Sequence, residues 1–285
     1  MIRDVKDRVW AFDCEWIPDP TSGRVLYEIP ESVTSPREIM QVMWERGGAT
    51  QEDPTPFRKT GLCRIVSIAA VERRVRSDGE VVLNLLSLPR HPEDREQGGE
   101  RAVIEPFLTA LGEHRPQLIG FNSVQSDLKI LIQRGVVLGL QAARLCARPE
   151  KPWLGVDYFA RTDEWHVDLK NILGGFGKAT PSLNEISTVA GIPGKMDVDG
   201  NSVATLWLEG GLKEIVDYNE FDALTTYLLW LRLAFFAGHF SPEEYEEEQE
   251  RVRELIRREA REPEKKHLER YLKEWERLEA LCQNR

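Results

Sequence analysis

The stretch RVWAFDCEW, residues 8–16, is rich in Val, Trp and Phe, alternates, and reads as a β-strand. It is apolar through Phe12 and then ends on Asp13 and Glu15. Residues i and i+2 of a strand share a face, so these two carboxylates point one way and Cys14 the other. A strand this apolar belongs near the centre of a sheet, where charged groups need partners. Working outward, RIVSIAAVE (64–72) and VVLNLLSL (81–88) read as two more strands, with a turn signal at Ser77-Asp78-Gly79 between them. The three form an antiparallel meander. The pattern then changes to a helix over 100–112, a strand over 117–121, a helix over 126–138, a strand near 165–169, a helix over 182–190 and a long helix over 211–236. A run of strands followed by strand–helix alternation predicts an α/β fold, a mixed sheet of about five strands flanked by helices.

The 285 residues, 41% hydrophobic, suffice for one sizeable core with a helical appendage. No run of about eighteen apolar residues is present, so no membrane span is expected. The start lacks the apolar region of a signal peptide. Cys14, Cys63, Cys146 and Cys282 are scattered without a C-x-x-C pair, which argues against zinc and for reduced thiols in a cytoplasmic protein. The net charge of −10 disfavours a broad nucleic-acid-coating surface but permits a site that grips a few terminal nucleotides.

The expected organisation is a domain over 1–240, with 17–62 as a long insertion after the first strand, and a charged helical extension over 241–285. Within the insertion, SPREIMQVMWERGG starts a helix with Ser35 as N-cap, Pro36 at the first position and Glu38 completing a capping box, and ends it at Gly47-Gly48. Its apolar face, Ile39, Met40, Val42, Met43 and Trp44, either packs on the domain or faces a substrate as a lid. In the tail, Leu268, Tyr271, Leu272, Trp275, Leu278 and Leu281 form a helical stripe that either docks on the domain or receives a protein partner.

Two further segments carry acids. LIGFNSVQSDLKIL (118–131) places Asp127 at the start of a helix, and IVDYNEFDALTTY (215–227) places Tyr218 and Asp222 one helical turn apart. Each acid taken singly suits a helix cap, a first-turn position or a solvated surface. Carboxylates that converge in a fold repel one another, and a divalent cation offsets that repulsion.

The joint pattern resembles the DEDDy 3′–5′ exonucleases of the DnaQ-like, ribonuclease H-like superfamily. More narrowly, it is similar to predicted exonucleases related to the proofreading domain of family-B DNA polymerases. Asp13 and Glu15 match the first motif, Gly120, Phe121, Asn122 and Asp127 the second, and Tyr218 and Asp222 the third. The histidine subclass would have His at 217, where this chain has Asp217. HVDLKNIL, SLNEISTVAGIPGKMDVDG and YNEFDALTTYLLWLRL carry the narrower likeness, over roughly residues 8–236. One departure is Ser126, where proofreading domains commonly have Phe; it reads as a packing position.

The resemblance implies a ribonuclease H-like fold and hydrolysis with two divalent cations, Mg²⁺ or Mn²⁺, roughly 3.5–4 Å apart. Asp13, Glu15, Asp127 and Asp222 would hold them, and Tyr218 would orient the attacking water. The expected substrate is a nucleic acid with a free 3′ end, single-stranded DNA first, with Asn122, Phe121 and Trp16 near it. A ribonuclease with the same site and a non-catalytic module binding through the tail are the alternatives. His166 and Asp168, sharing a strand face, either feed the site or form a buried hydrogen-bonded pair. Lys195 either meets phosphate or is solvated. Gly174, Gly175 and Gly177 form no P-loop, because the Gly-Lys-Ser/Thr ending is absent.

Overall fold

The computed structural model describes residues 2–94, 96–151, 154–160, 164–174, 179–194, 196 and 202–282. Lys195, Gly175 and Gly177 lie outside them. β1 (Arg8–Pro18) pairs antiparallel with β2 (Cys63–Val75), which pairs antiparallel with β3 (Val81–Leu88). On its other side β1 pairs parallel with β4 (Gln117–Gly120), and β4 with β5 (His166–Asp168). The order β3-β2-β1-β4-β5 puts β1 at the centre of a mixed five-stranded sheet flanked by helices, the α/β arrangement expected from its apolar alternation.

The two faces of β1 build two cores. Trp10, Phe12 and Cys14 pack with α3 (Glu100–His114) and α4 (Asp127–Val137), through residues such as Phe107, Leu111 and Leu131. Val9 and Ala11 pack with α9 (Leu212–Phe236), through Leu224, Leu228 and Leu231. Before α9 come α5 (Ala143–Cys146), α6 (Leu169–Leu173), α7 (Leu183–Val189) and α8 (Val203–Leu208). The period-2 rule carries the α9-facing set on to Asp13 and Glu15.

α9 is buried nearly all round, as a helix covered on both sides must be. Its outer side is covered by α10 (Pro242–Glu259) and α11 (His267–Cys282). Leu268, Tyr271 and Trp275 are buried in the α9 core and Leu278 is buried beside them in sequence, so the tail stripe docks on the domain. It ends a turn earlier than expected, because Leu281 is 63% exposed. Arg73 of β2 donates to Glu248 of α10 at 2.8 and 3.2 Å, and Tyr227 Oη donates to the same carboxylate at 3.2 Å. Among the described residues no helix is long and apolar enough to cross a membrane.

The insertion is built from α1 (Pro20–Leu26), α2 (Pro36–Arg46) and a 3₁₀ turn at Thr60–Leu62. α2 occupies the predicted span, and Ser35 Oγ accepts from Glu38 N at 3.4 Å. The reciprocal Glu38 bond is absent from the expected capping box, whereas α7 and α10 carry both halves. Glu38 is exposed, where water competes for its carboxylate. Met40 and Trp44 pack on Ile17, Val66 and α8, so α2 belongs to the body of the domain.

A buried charge cluster ties the insertion down. Arg134 of α4 donates to Glu100 at 2.7 Å and to Asp19 at 2.9 Å. Glu100 also accepts from Ile65 N at 2.8 Å, and Asp19 caps α1 through Thr21 N and Ser22 N. Removing one partner of a buried ion cluster leaves uncompensated charge, at a cost of about 3–5 kcal/mol. Arg134→Ala is therefore expected to lower unfolding free energy by about that much. Urea titration followed by tryptophan fluorescence measures it, and a loss under about 1 kcal/mol would contradict the assignment.

Candidate active site

α9 reaches the sheet beside the second half of β1. Asn219 is fully buried, and its Nδ2 donates to Ser67 Oγ of β2 at 2.9 Å. Ser67 is the cross-strand partner of Glu15, and Ala69 that of Asp13. This bond sets the axial register of α9, and Tyr218 and Asp222 follow from it. Carboxylate oxygens of Asp13, Glu15 and Asp222 lie within 4.8 Å of one another. The β1–β2 register shifts just after Glu15, an irregularity of the kind that re-aims side chains next to active sites.

Asp127, 3% exposed, enters from the other side of the sheet. Its Oδ1 accepts from Cys14 N at 3.0 Å, so it is tied to the backbone between the two β1 acids. Its Oδ2 accepts from Ser126 Oγ at 2.7 Å, and the same hydroxyl lies 2.8 Å from Asn122 O. Ser126 is thus a hydrogen-bonding residue and not the packing position expected of it, because a hydroxyl here meets two acceptors. All four acids line one cleft of about 290 Å³, together with Trp16 and Phe121. Asp127 stands beside the close trio rather than within it.

Burial is the first cause of the electrostatic strain. It pushes the Asp13 carboxyl well above its ordinary range, and the charges of Asp127, Asp222 and Glu15 push further. Burial likewise raises Asp127 to about 6, against the opposing hydrogen bonds from Ser126 and Cys14 N. Tyr218 is 4% exposed and hydrogen-bonded to Asp222. Burial, followed by Asp222, Glu15 and Asp13, drives its phenol strongly upward, so it stays protonated. A protonated phenol donates a hydrogen bond and does not act as a base.

The loop after β4 holds Asp127 in place. Gly120 is required there, since a Cβ would sit 2.3 Å from Ser123 Oγ. Asn122 adopts a left-handed φ of 65°, and its carbonyl accepts from Gln125 N and Ser126 N, both at 3.0 Å. Its side-chain oxygen accepts from Lys170 Nζ at 3.1 Å. These are the contacts of a turn residue, and Asn122 does not line the acidic cleft. Asp168 accepts from Asn122 N at 2.9 Å and Val124 N at 3.0 Å, and caps α6. His166 meets Ser123 Oγ at 2.8 Å, and burial pushes its pKa down to about 4. His166 and Asp168 therefore brace this loop through separate partners.

Among the cleft residues the sequence reading missed are Phe57 and Arg58 of the insertion. They sit in a non-periodic loop, so no pattern marked them. A second group, Asp217, Glu220 and His267, also converges within 4.8 Å. Lys213 pairs with Asp217, and Lys265 and Ser87 bond Glu220. Cations already match its charge, and the group is an ion-pair network joining α9 to the tail.

A family model for a predicted 3′-5′ exonuclease related to the exonuclease domain of PolB matches residues 55–275. The match runs through α10 into α11, and it begins after Asp13 and Glu15, whose membership of the cleft rests on geometry. Among solved structures, a family B DNA polymerase from the hyperthermophilic archaeon Pyrobaculum calidifontis is similar at 18% identity and a TM-score of 0.45. That likeness covers 79% of this chain and 25% of the polymerase, so the chain spans about a quarter of that protein's length. No curated protein matches the chain. With the family model spanning most of its length, the chain belongs to the predicted 3′–5′ exonucleases related to the exonuclease domain of PolB.

Proposed function

We propose that this 3′–5′ exonuclease is divalent-cation-dependent, acts on single-stranded DNA and releases nucleoside 5′-monophosphates. The observation that carries the proposal is the approach of Asp13, Glu15 and Asp222 oxygens to within 4.8 Å in a cleft shared with Asp127. An all-oxygen donor set suits a hard cation such as Mg²⁺ or Mn²⁺. Carboxylates this crowded, with Asp13 pushed far up by burial and by its neighbours, fit a site that a cation relieves. Asp13, Glu15 and Asp222 would hold the ions, with Asp127 completing the set. When bound, two such ions supply charge neutralisation at the scissile phosphate and a more acidic water.

The chain's own residues do the rest. Tyr218, whose buried phenol stays protonated and hydrogen-bonded to Asp222, would orient the attacking water through its oxygen. Ser126 and Cys14 N fix the direction of Asp127. Trp16 and Phe121 offer ring faces to a terminal base. Residues 1–240 are proposed as the catalytic unit, with 241–285 as a helical extension that braces α9.

Labelled single-stranded DNA and RNA, incubated with Mg²⁺, Mn²⁺ or EDTA, test the reading. A cation-dependent ladder shortening from the 3′ end supports it, preference for RNA moves the substrate to ribonucleotides, and no degradation of either polymer sinks it. Tyr218→Phe is expected to keep Mn²⁺ affinity by calorimetry while losing about 10²-fold in kcat. Asp13→Ala is expected to lose Mn²⁺ binding as well.

The acid pKa shifts predict a pH dependence for the cation-free protein. A carboxyl raised on folding gives stability that is full below its unfolded value, near 3.8, and lost as pH rises through its folded value. Melting temperature should therefore fall as pH rises from about 4 through about 6 and beyond, the span that Asp127 and Asp13 define. Asp13→Asn should raise the cation-free melting temperature at pH 8, by roughly 2–4 °C per kcal/mol of repulsion relieved. Mg²⁺ should stabilise the wild type and leave this variant unmoved. Thermal scans with and without EDTA check all three outcomes.

A further inference from the structure

Phe57 and Arg58 form one wall of the acidic cleft, opposite in character to its floor. Phe57 is 72% exposed, and among the described residues it is the one strongly exposed large apolar side chain that lines this cleft. Scattered exposed apolar residues are ordinary, but an aromatic ring standing at the mouth of a nuclease cleft has a face free for a base. Arg58 follows it directly and is the only cation among the lining residues, beside four carboxylates.

The guanidinium of Arg58 is held in place. Its Nη2 donates to Tyr27 Oη at 2.8 Å. Its Nη1 lies against Gly47, where a Cβ would fall 1.4 Å from it, so a side chain at 47 would displace the guanidinium. Gly47 is the C-cap of α2, and the negative end of the helix dipole favours a cation at that point. Its Nε is shielded from solvent and has no hydrogen-bond partner. Both residues come from the insertion, whose position is fixed by the Arg134 cluster on one side and by Trp44 on the other.

We propose that the insertion supplies the grip on the substrate strand: Phe57 stacks on an unpaired base near the 3′ end, and Arg58 binds a backbone phosphate beside it. The proposal rests on the nuclease reading above and deepens it. Stacking needs a base face that pairing does not hide, so the substrate class is an unpaired 3′ end. Neither contact calls for a 2′-hydroxyl, so the wall selects single strands without selecting the sugar. The carboxylates repel the strand until cations neutralise them, which leaves Arg58 as the protein's own positive contact inside the cleft.

The test uses the full chain and a fluorescein-labelled oligothymidylate with phosphorothioate 3′ linkages, with Kd from anisotropy in Mg²⁺ and KM and kcat on the unmodified oligomer. Phe57→Ala should weaken binding about 5- to 150-fold, the loss falling on KM more than on kcat, and Phe57→Trp should restore it. Arg58→Gln should weaken binding and reduce the slope of log Kd against log salt by about 0.7, the signature of one lost phosphate contact on a single strand. Equal affinity of wild type, Phe57→Ala and Phe57→Trp, with wild-type turnover intact, overturns the proposal and leaves the nuclease reading standing. Binding that depends on Phe57 without any turnover supports the wall and overturns the nuclease reading. Absence of both binding and turnover in the wild type overturns both. Because Phe57 is exposed, its variants should melt with the wild type, and a matched melting curve separates lost contact from lost fold.

Discussion

Carboxylates within a central strand that is buried on both faces have few places to put their charge, and that constraint organises this molecule. β1 runs through the middle of the sheet and commits its apolar residues to two cores. Asp13 and Glu15 must then emerge where the two cores end. The register shift after Glu15 opens the ladder there, and Asp127 arrives from the opposite face to take the Cys14 amide between them. α9 closes the remaining side. The cleft is thus the place where the two layers of helices fail to meet, and its acids are the reason they must not.

Most of this frame was legible because it rests on two periodicities. Alternation in residues 8–16, 64–72 and 81–88 marks strands whose observed ends, Arg8–Pro18, Cys63–Val75 and Val81–Leu88, differ by at most three residues from the reading. The long apolar run of α9 begins one residue later than expected and ends at Phe236 as expected. The short helices α1, α5, α6 and α8, none longer than seven residues, were not legible, although α7, also of seven, was. The site divides in the same way. Asp13 with Glu15, and Tyr218 with Asp222, follow from spacing within one element. Asp127 depends on a tertiary bond to Cys14, which no local pattern announces. Ser126 looked like a departure from the family and is a second anchor for the same carboxylate. Phe57 and Arg58 lie in a loop whose path is set by Gly47 and Tyr27, contacts distant in sequence.

The charged tail shows how composition can mislead. Its Glu, Arg and Lys residues suggest a solvated face, while its stripe lies in the same core as the sheet, the docking expected from the stripe itself. Trp275 is 1% exposed and carries Arg253 over its ring at 4.3 Å. Tyr271 stacks on Phe221 and bonds Thr225, both on α9. Glu220 of α9, 1% exposed, meets Lys265 and His267 from the tail. Its pKa lies below the usual carboxylate range, because the His267 hydrogen bond and the Lys265 charge outweigh the cost of burial. The tail is therefore a second support for the helix that carries two of the site's groups.

The Asn219–Ser67 bond gives that support its meaning. Tyr218, Asn219, Glu220 and Asp222 lie within little more than one turn of α9 and face different duties: Tyr218 bonds Asp222 at the acids, Asn219 meets the sheet and Glu220 the tail. An α-helix turns by about 100° and advances about 1.5 Å per residue. A slip of a single residue would carry all four away together, breaking the sheet bond and the tail pairs as it emptied the cleft. The helix has no small misalignment available to it. The site is consequently either assembled or absent, and its geometry is protected by contacts that never touch a substrate.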